Sequence, residues 1–221
     1  CTVCVSQNHV SKMKTDHSTR LRRNAGYKYK QEARDKPQRE FARLWRASDL
    51  NNLELLHARF LTTSFAPHTH DTYAIGIVES GAESFAYRGR CQAAGAGTIA
   101  VIHPGELHTG GPLGEQGWRY RALYPDAALI IQTLAEMVCK AHTLPFFAEP
   151  VIDDPQLFGE FVCMHQALET EISALERESR LLAALSALIE RYADPTQAVR
   201  PLKPEHQAVA TVVDYLHDNL P

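Results

Sequence analysis

The chain has 221 residues, 44% of them hydrophobic, enough for one principal domain with appendages. Its formal net charge of -3 argues against a nucleic-acid or acidic-membrane footprint over the whole chain. Five scattered cysteines (Cys1, Cys4, Cys91, Cys139 and Cys163) read as reduced thiols rather than a disulfide framework, which points to the cytoplasm.

Residues 1–40 are polar and concentrate ten Lys/Arg against four Asp/Glu, so the rest of the chain is acidic. The preferred reading is a disordered tail, or an upstream extension that the native protein lacks; the alternative is a basic arm that touches nucleic acid. Cys1-x-x-Cys4 has metal or redox spacing, but no second pair follows it. No apolar run reaches the length of a membrane span, and the first residues lack the apolar core of a signal peptide.

From Phe41 to about Pro125 the texture is β: short Val/Ile/Phe/Tyr/Thr-rich segments with Gly/Pro punctuation. Strands are expected near 53–65, 69–79, 83–88, 90–94, 97–103 and 118–124, with a hairpin turn at Arg88-Gly89 and another turn at Gly95–Gly97. The Gly-rich segment 109–117 reads as a mobile loop. Short strands at this spacing predict a sandwich or a barrel.

From Asp126 the period becomes helical. A short helix over Asp126–Cys139 starts at an Asp N-cap. An extended piece at about 147–152 follows. Asp153-Asp154-Pro155 then reads as a helix start. The stripe Phe158, Phe161, Val162, His165, Leu168 and Ile172 marks that helix. A further helix over about 174–193 carries Leu175, Leu182, Leu185, Leu188, Ile189 and Tyr192, and the two are expected to pack as an antiparallel pair. A two-proline linker at 194–201 precedes an amphipathic segment over 203–221 with Val209, Val212, Val213, Leu216 and Leu220 on one face. One such helix cannot bury its face alone, so it reads as the opening of another domain.

Two clusters carry the chemistry. In Pro67-His68-Thr69-His70, strand alternation puts both imidazoles on one face, a spacing that can grip a metal ion. Continued alternation puts Ala74, Gly76 and Val78 on that face, small groups that leave room for a ligand, and Tyr73, Ile75 and Ile77 on the other. The second cluster, GTIAVIHPGELH over 97–108, runs a strand into the Pro104-Gly105 turn and delivers Glu106 and His108, with His103 before the turn. In Trp118–Tyr124, Trp118, Tyr120 and Tyr124 share a face, and Arg119 and Arg121 share the other. Trp118 and Tyr120 read equally as an aromatic wall for a ligand or as barrel packing, and Tyr124 as packing. Arg59 reads as a solvated strand residue, with a carboxylate clamp as the alternative.

The pair of motifs, His68-Thr69-His70 with residues 97–108, resembles the cupin superfamily. There, a His-x-His and a later His converge inside a small barrel, and the matching residues here are His68, His70 and His108. Metal-binding cupins add a Glu four residues after the second His, where this chain has Ala74. A closer resemblance runs from about Phe41 onward. APHTHDTYAIGIVESG, FAYRG, PGELHTG and WRYRALYP are similar to the sensor domain of AraC-family transcription regulators, the pair at 154–193 sits where that family has its dimerising helices, and VATVVDYLHDNLP is similar to the first helix of its helix-turn-helix domain.

The resemblance implies a mainly β fold with α: a cupin-like jelly-roll barrel over 41–152, a helical dimerisation pair over 153–194, a linker over 195–202 and a helix stub over 203–221. It implies a small-molecule effector bound by His68, His70, His108, Trp118 and Tyr120, and a homodimer packed through Leu182, Leu185, Leu188 and Ile189. DNA and RNA polymerase would be met only through a longer protein, and no membrane partner is expected. No cofactor is expected; a divalent metal on His68, His70 and His108 is the alternative occupant. The competing function is a metal-dependent cupin enzyme, such as a dioxygenase or isomerase, and a third reading is a binding protein with no DNA role.

Overall fold

A computed structural model describes residues 39–137, 143–170 and 172–198. Residues 1–38 of the basic arm, with Cys1-x-x-Cys4, as well as Cys139 and the helix expected over 203–221, lie outside these residues.

The β region begins with β1 (Phe41–Ala47) and β2 (Leu53–Phe60), joined through a turn in which Asn51 and Asn52 take positive φ. A bend ends the strand expected over 53–65 at Phe60, and the chain resumes as β3 (Phe65–His68). The strand expected from residue 69 starts instead at Ala74, as β4 (Ala74–Tyr87), which absorbs the separate strand expected at 83–88. Arg88 and Gly89 both take positive φ and close the hairpin from β4 to β5 (Arg90–Gly95), a two-residue turn whose twist matches that of its strands. Then come β6 (Ile99–Ile102), β7 (His108–Pro112) and β8 (Trp118–Tyr124). Within the β region, β1 stands where no strand was expected, and β7 lies in the segment expected as a mobile loop.

The strands form two facing layers. One runs in the order β1-β2-β8-β4-β6. The other pairs β3 with β7, β7 with β4, and β4 with β5. β4 belongs to both: residues 74–77 pair with β6, whereas 82–87 pair with β5. The crossing is marked by a β-bulge. Val78 opposes Tyr120 and Ser80 opposes Arg119, so Glu79 is the extra residue. The bulge reverses the side-chain alternation downstream of it.

Three helices follow among the described residues. Asp126 caps α1 (Ala127–Glu136) by accepting the Leu129 N–H, and Met137 ends it two residues before the expected Cys139. β9 (Pro145–Phe147) and β10 (Val151–Ile152) take the expected extended piece, with β10 pairing to β6. Asp154 caps α2 (Pro155–Ala167), with Pro155 in the first turn. Ser173 caps α3 (Ala174–Tyr192). The expected linker continues α3 directly as β11 (Ala193–Ala198), which pairs with β9.

The larger core lies between the outer wall of the barrel and the helices. Tyr73, Ile75, Ile77, Ile99, Val101 and Leu123 meet Leu157, Phe161, Leu181, Leu185 and Leu188 there. The buried stripe of α2 is Leu157, Phe161, Met164 and His165, so Phe158 and Val162 sit at its edge. Leu175, expected on the stripe of α3, is exposed.

An ionic cluster ties α2 to the barrel. Buried Arg121 reaches Glu79 at 2.8 Å and also pairs with Glu169, beyond the end of α2. His165 lies 3.0 Å from the Ala122 carbonyl at Nε2, which therefore carries the proton, leaving Nδ1 to accept from Arg121 at 3.1 Å. Burial holds the His165 pKa down to about 4, so this contact is made by a neutral ring.

Candidate functional site

The inner face of the barrel encloses a cavity of about 330 Å³, within the range of small-molecule sites. Its space comes from small side chains on the first layer: Ala74, Gly76, Ala100 and Ala122 line it where larger residues would fill it. Leu56, Phe65, Phe85 and Ile102 supply apolar wall.

At one end stand three histidines. His68 on β3 lies directly opposite His108 on β7. Their ring centroids are 4.3 Å apart, and His70 lies 4.9 Å from His68 and 5.2 Å from His108. The Pro104-Gly105 turn fixes His70 in place, since the Gly105 N–H donates to the His70 carbonyl at 2.7 Å. The carbonyl of Ala66 takes the Nδ1–H of His68 at 2.7 Å, and that of Glu106 takes the Nδ1–H of His108 at 3.0 Å. A carbonyl only accepts, so both rings have their proton on Nδ1 and present the Nε2 lone pair.

These lone pairs suit a cation. One ligand atom from each histidine lies within 4.8 Å of the others. Burial, and then the neighbouring rings, hold the His70 pKa down to about 4; burial also lowers that of His108. His68 and His108, each with Nδ1–H held by a carbonyl, are oriented as a divalent metal needs, and His70 is held neutral beside them. The residues therefore fit a three-histidine site, with Ala74 in place of an acidic fourth ligand.

Tyr120 and Tyr124 line the cavity, so Tyr124, expected as packing, is corrected to a wall residue. Trp118, expected on the wall, is not among the lining residues. It is buried, stacked on Tyr120 at 5.5 Å and packed against Phe60. Arg59 also lies off the cavity and donates to the Gln116 carbonyl at 3.4 Å.

The residue that sequence reasoning missed is Glu83, whose side chain lines the cavity from β4. Strict alternation from Ala74 points it outward; the bulge at Glu79 turns it in. Burial raises its pKa to about 7; burial, and then neighbouring groups including Glu83, holds the Tyr120 and Tyr124 phenols protonated. A carboxyl on an apolar wall is a costly choice unless something uses it.

The AraC-like ligand binding domain family matches residues 50–185, which run from just before β2 into α3. The chain belongs to this family. Among curated relatives of this AraC-like domain is the "Uncharacterized HTH-type transcriptional regulator YbfI" of Bacillus subtilis (strain 168), 23% identical over 168 residues. That match covers 76% of this chain and 60% of the relative, so the chain spans about 60% of the length of the relative it matches. Among solved structures, a variant of Bacillus subtilis oxalate decarboxylase OxdC matches with a TM-score of 0.35 and 19% identity, over 40% of this chain and 26% of that one. KdgF from Halomonas sp. matches with a TM-score of 0.33 and 20% identity, over 38% of this chain and 76% of that one. The family match identifies the cupin-like barrel, and the two structural likenesses are too slight to add to it.

Proposed function

We propose that this chain is the effector-sensing part of an AraC-type transcription regulator, with the effector held in the barrel cavity. One observation carries the reading: a cavity of about 330 Å³ with apolar walls and a few convergent polar groups, inside a domain of this family. His68, His70, His108, Tyr120 and Tyr124 would contact the effector, and Trp118 would support Tyr120 from behind. The effector acts by binding two arrangements of the regulator unequally. DNA binding and contact with RNA polymerase would belong to the longer protein, in the cytoplasm.

We further propose that two copies pair through the helices. Of the four residues expected to pack the dimer, Leu185, Leu188 and Ile189 are buried in the chain's own core, and Leu182 keeps some surface. A partner would therefore meet α3 on the side of Leu182.

The experiment is a promoter reporter driven by the full-length regulator. A Cβ at Gly76 meets only Ala100, at 3.9 Å, so Gly76→Leu adds its bulk to the cavity with little backbone strain. The response to effector should disappear in this variant while basal promoter occupancy persists. An unaltered response would place the effector elsewhere.

The second reading is a metal-dependent cupin enzyme, favoured by the three-histidine cluster. His68, His70 and His108 would hold a divalent ion, which would supply Lewis acidity when bound. Stoichiometric metal that survives purification and is lost in His70→Ala would favour it.

A further inference from the structure

Among the described residues Glu83 is the only carboxylate lining the cavity, and no Lys or Arg lines it. Among the described residues no hydrogen bond or ion pair engages the Glu83 carboxyl, and burial is the one influence acting on its protonation. The remaining polar groups are rich in lone pairs. The Nε2 atoms of His68 and His108 are acceptors, because their Nδ1 protons are spent on carbonyls. The hydroxyls of Tyr120 and Tyr124 make no hydrogen bond among the described residues, so each can donate once and accept twice. A ligand carboxylate or phosphate would meet Glu83 with no protein cation to offset the repulsion. A ligand with a positive, donor-rich head would satisfy the carboxyl and the phenols together.

We propose that the cavity is built for a small organic cation: an apolar or aromatic body against Phe65, Phe85 and Ile102, and an ammonium head on the Glu83 carboxylate near the hydroxyls of Tyr120 and Tyr124. This deepens the effector reading and rests on it. The selecting residue is Glu83, and the bulge at Glu79 puts it there. With no counter-charge the carboxyl titrates near neutrality, at about 7, and a bound cation draws it to the charged form.

The test uses three probes on one skeleton: phenethylamine as cation, 3-phenylpropanoate as anion and 2-phenylethanol as neutral donor. Each is titrated into the chelator-treated chain and followed by NMR, for the wild type, Glu83→Gln and Gly76→Leu. The amine is expected to bind at least tenfold more tightly than the carboxylate, to lose most of that advantage in Glu83→Gln and to be excluded by Gly76→Leu. Wild type alone makes the comparison decisive if a variant fails to fold. A carboxylate that binds as tightly as the amine, or an amine untouched by Glu83→Gln, overturns the cation proposal and leaves the cavity as a ligand site. Amine binding that survives Gly76→Leu, or no binding by any probe, overturns the proposal and counts against the cavity itself.

Discussion

The backbone N–H of Phe147 donates to Nε2 of His103 over 2.8 Å, joining the turn that carries His108 to strand β9. Nε2 is therefore an acceptor, while Nδ1 lies 2.7 Å from the Tyr87 hydroxyl and 2.8 Å from Nη2 of Arg88. Arg88 closes the group by pairing with Glu106 at 2.7 Å and donating to the Phe147 carbonyl at 3.2 Å. Through this group the histidine end of the cavity is fastened to β9, and β9 is paired with β11.

Removing the imidazole should leave the Phe147 N–H buried without an acceptor. His103→Ala is expected to cost about 1–3 kcal/mol from that group, plus the packing lost around the ring. Urea denaturation measures the total, and faster hydrogen exchange at Phe147 would locate it.

Stability should rise with pH between about 4 and 6.5. His70, His103 and His165 are held neutral down to about 4, whereas in the unfolded chain they take up protons near 6.5. Across that window the unfolded state binds more protons, so acid favours unfolding. Glu83 acts in the opposite sense, because its folded-state pKa of about 7 lies above its ordinary 4.5 and its contribution weakens as pH rises between them. Three groups outweigh one, and Glu83→Gln should steepen the rise. Melting temperature against pH, for both proteins, checks this.

Leu185 and Leu182 should separate core from interface. Leu185 is fully buried, and Leu185→Ala should cost about 2–5 kcal/mol as a core truncation. Leu182→Asp should leave the fold in place and weaken self-association. Equilibrium sedimentation with parallel thermal melts tests both; a Leu182→Asp variant that dimerises like wild type would take this face of α3 out of the interface.

The bulge that admits Glu83 leans on Gly81. This residue has φ +72°, and a Cβ there would come 2.0 Å from the Gly117 carbonyl oxygen. Backbone strain and backbone collision act together, so Gly81→Ala should destabilise by at least about 2 kcal/mol. Chemical denaturation gives the value, and a neutral outcome would mean that the strand crossing is looser than described.

Much of the site was legible in the sequence, for local reasons. The Arg88-Gly89 turn, the caps at Asp126 and Asp154 and the small residues Ala74 and Gly76 follow from short-range rules, whereas β3 ends at His68 and the segment beyond it, not strand alternation, brings His70 to His68. What escaped depended on partners distant in the chain. Glu83 faces inward because one residue of β4 is bulged against β8, and alternation within β4 cannot reveal that. Trp118 shares its face with Tyr120, yet Phe60 and the stack on Tyr120 take it out of the wall. β7 looked like a loop because glycine dominates it, but a Cβ on Gly110 would lie 2.8 Å from the Glu83 carboxyl and one on Gly111 2.8 Å from the Ser64 hydroxyl. Those glycines admit close neighbours within a strand.

On this reading, the barrel cavity is where the domain binds its small molecule. The most direct measurement is a thermal-shift screen of a small-molecule library against the wild type and Gly76→Leu in parallel. Compounds that bind and stabilise the wild type should lose that effect in the variant, since stabilisation follows occupancy of the folded state. Compounds that stabilise both proteins equally would contradict the claim.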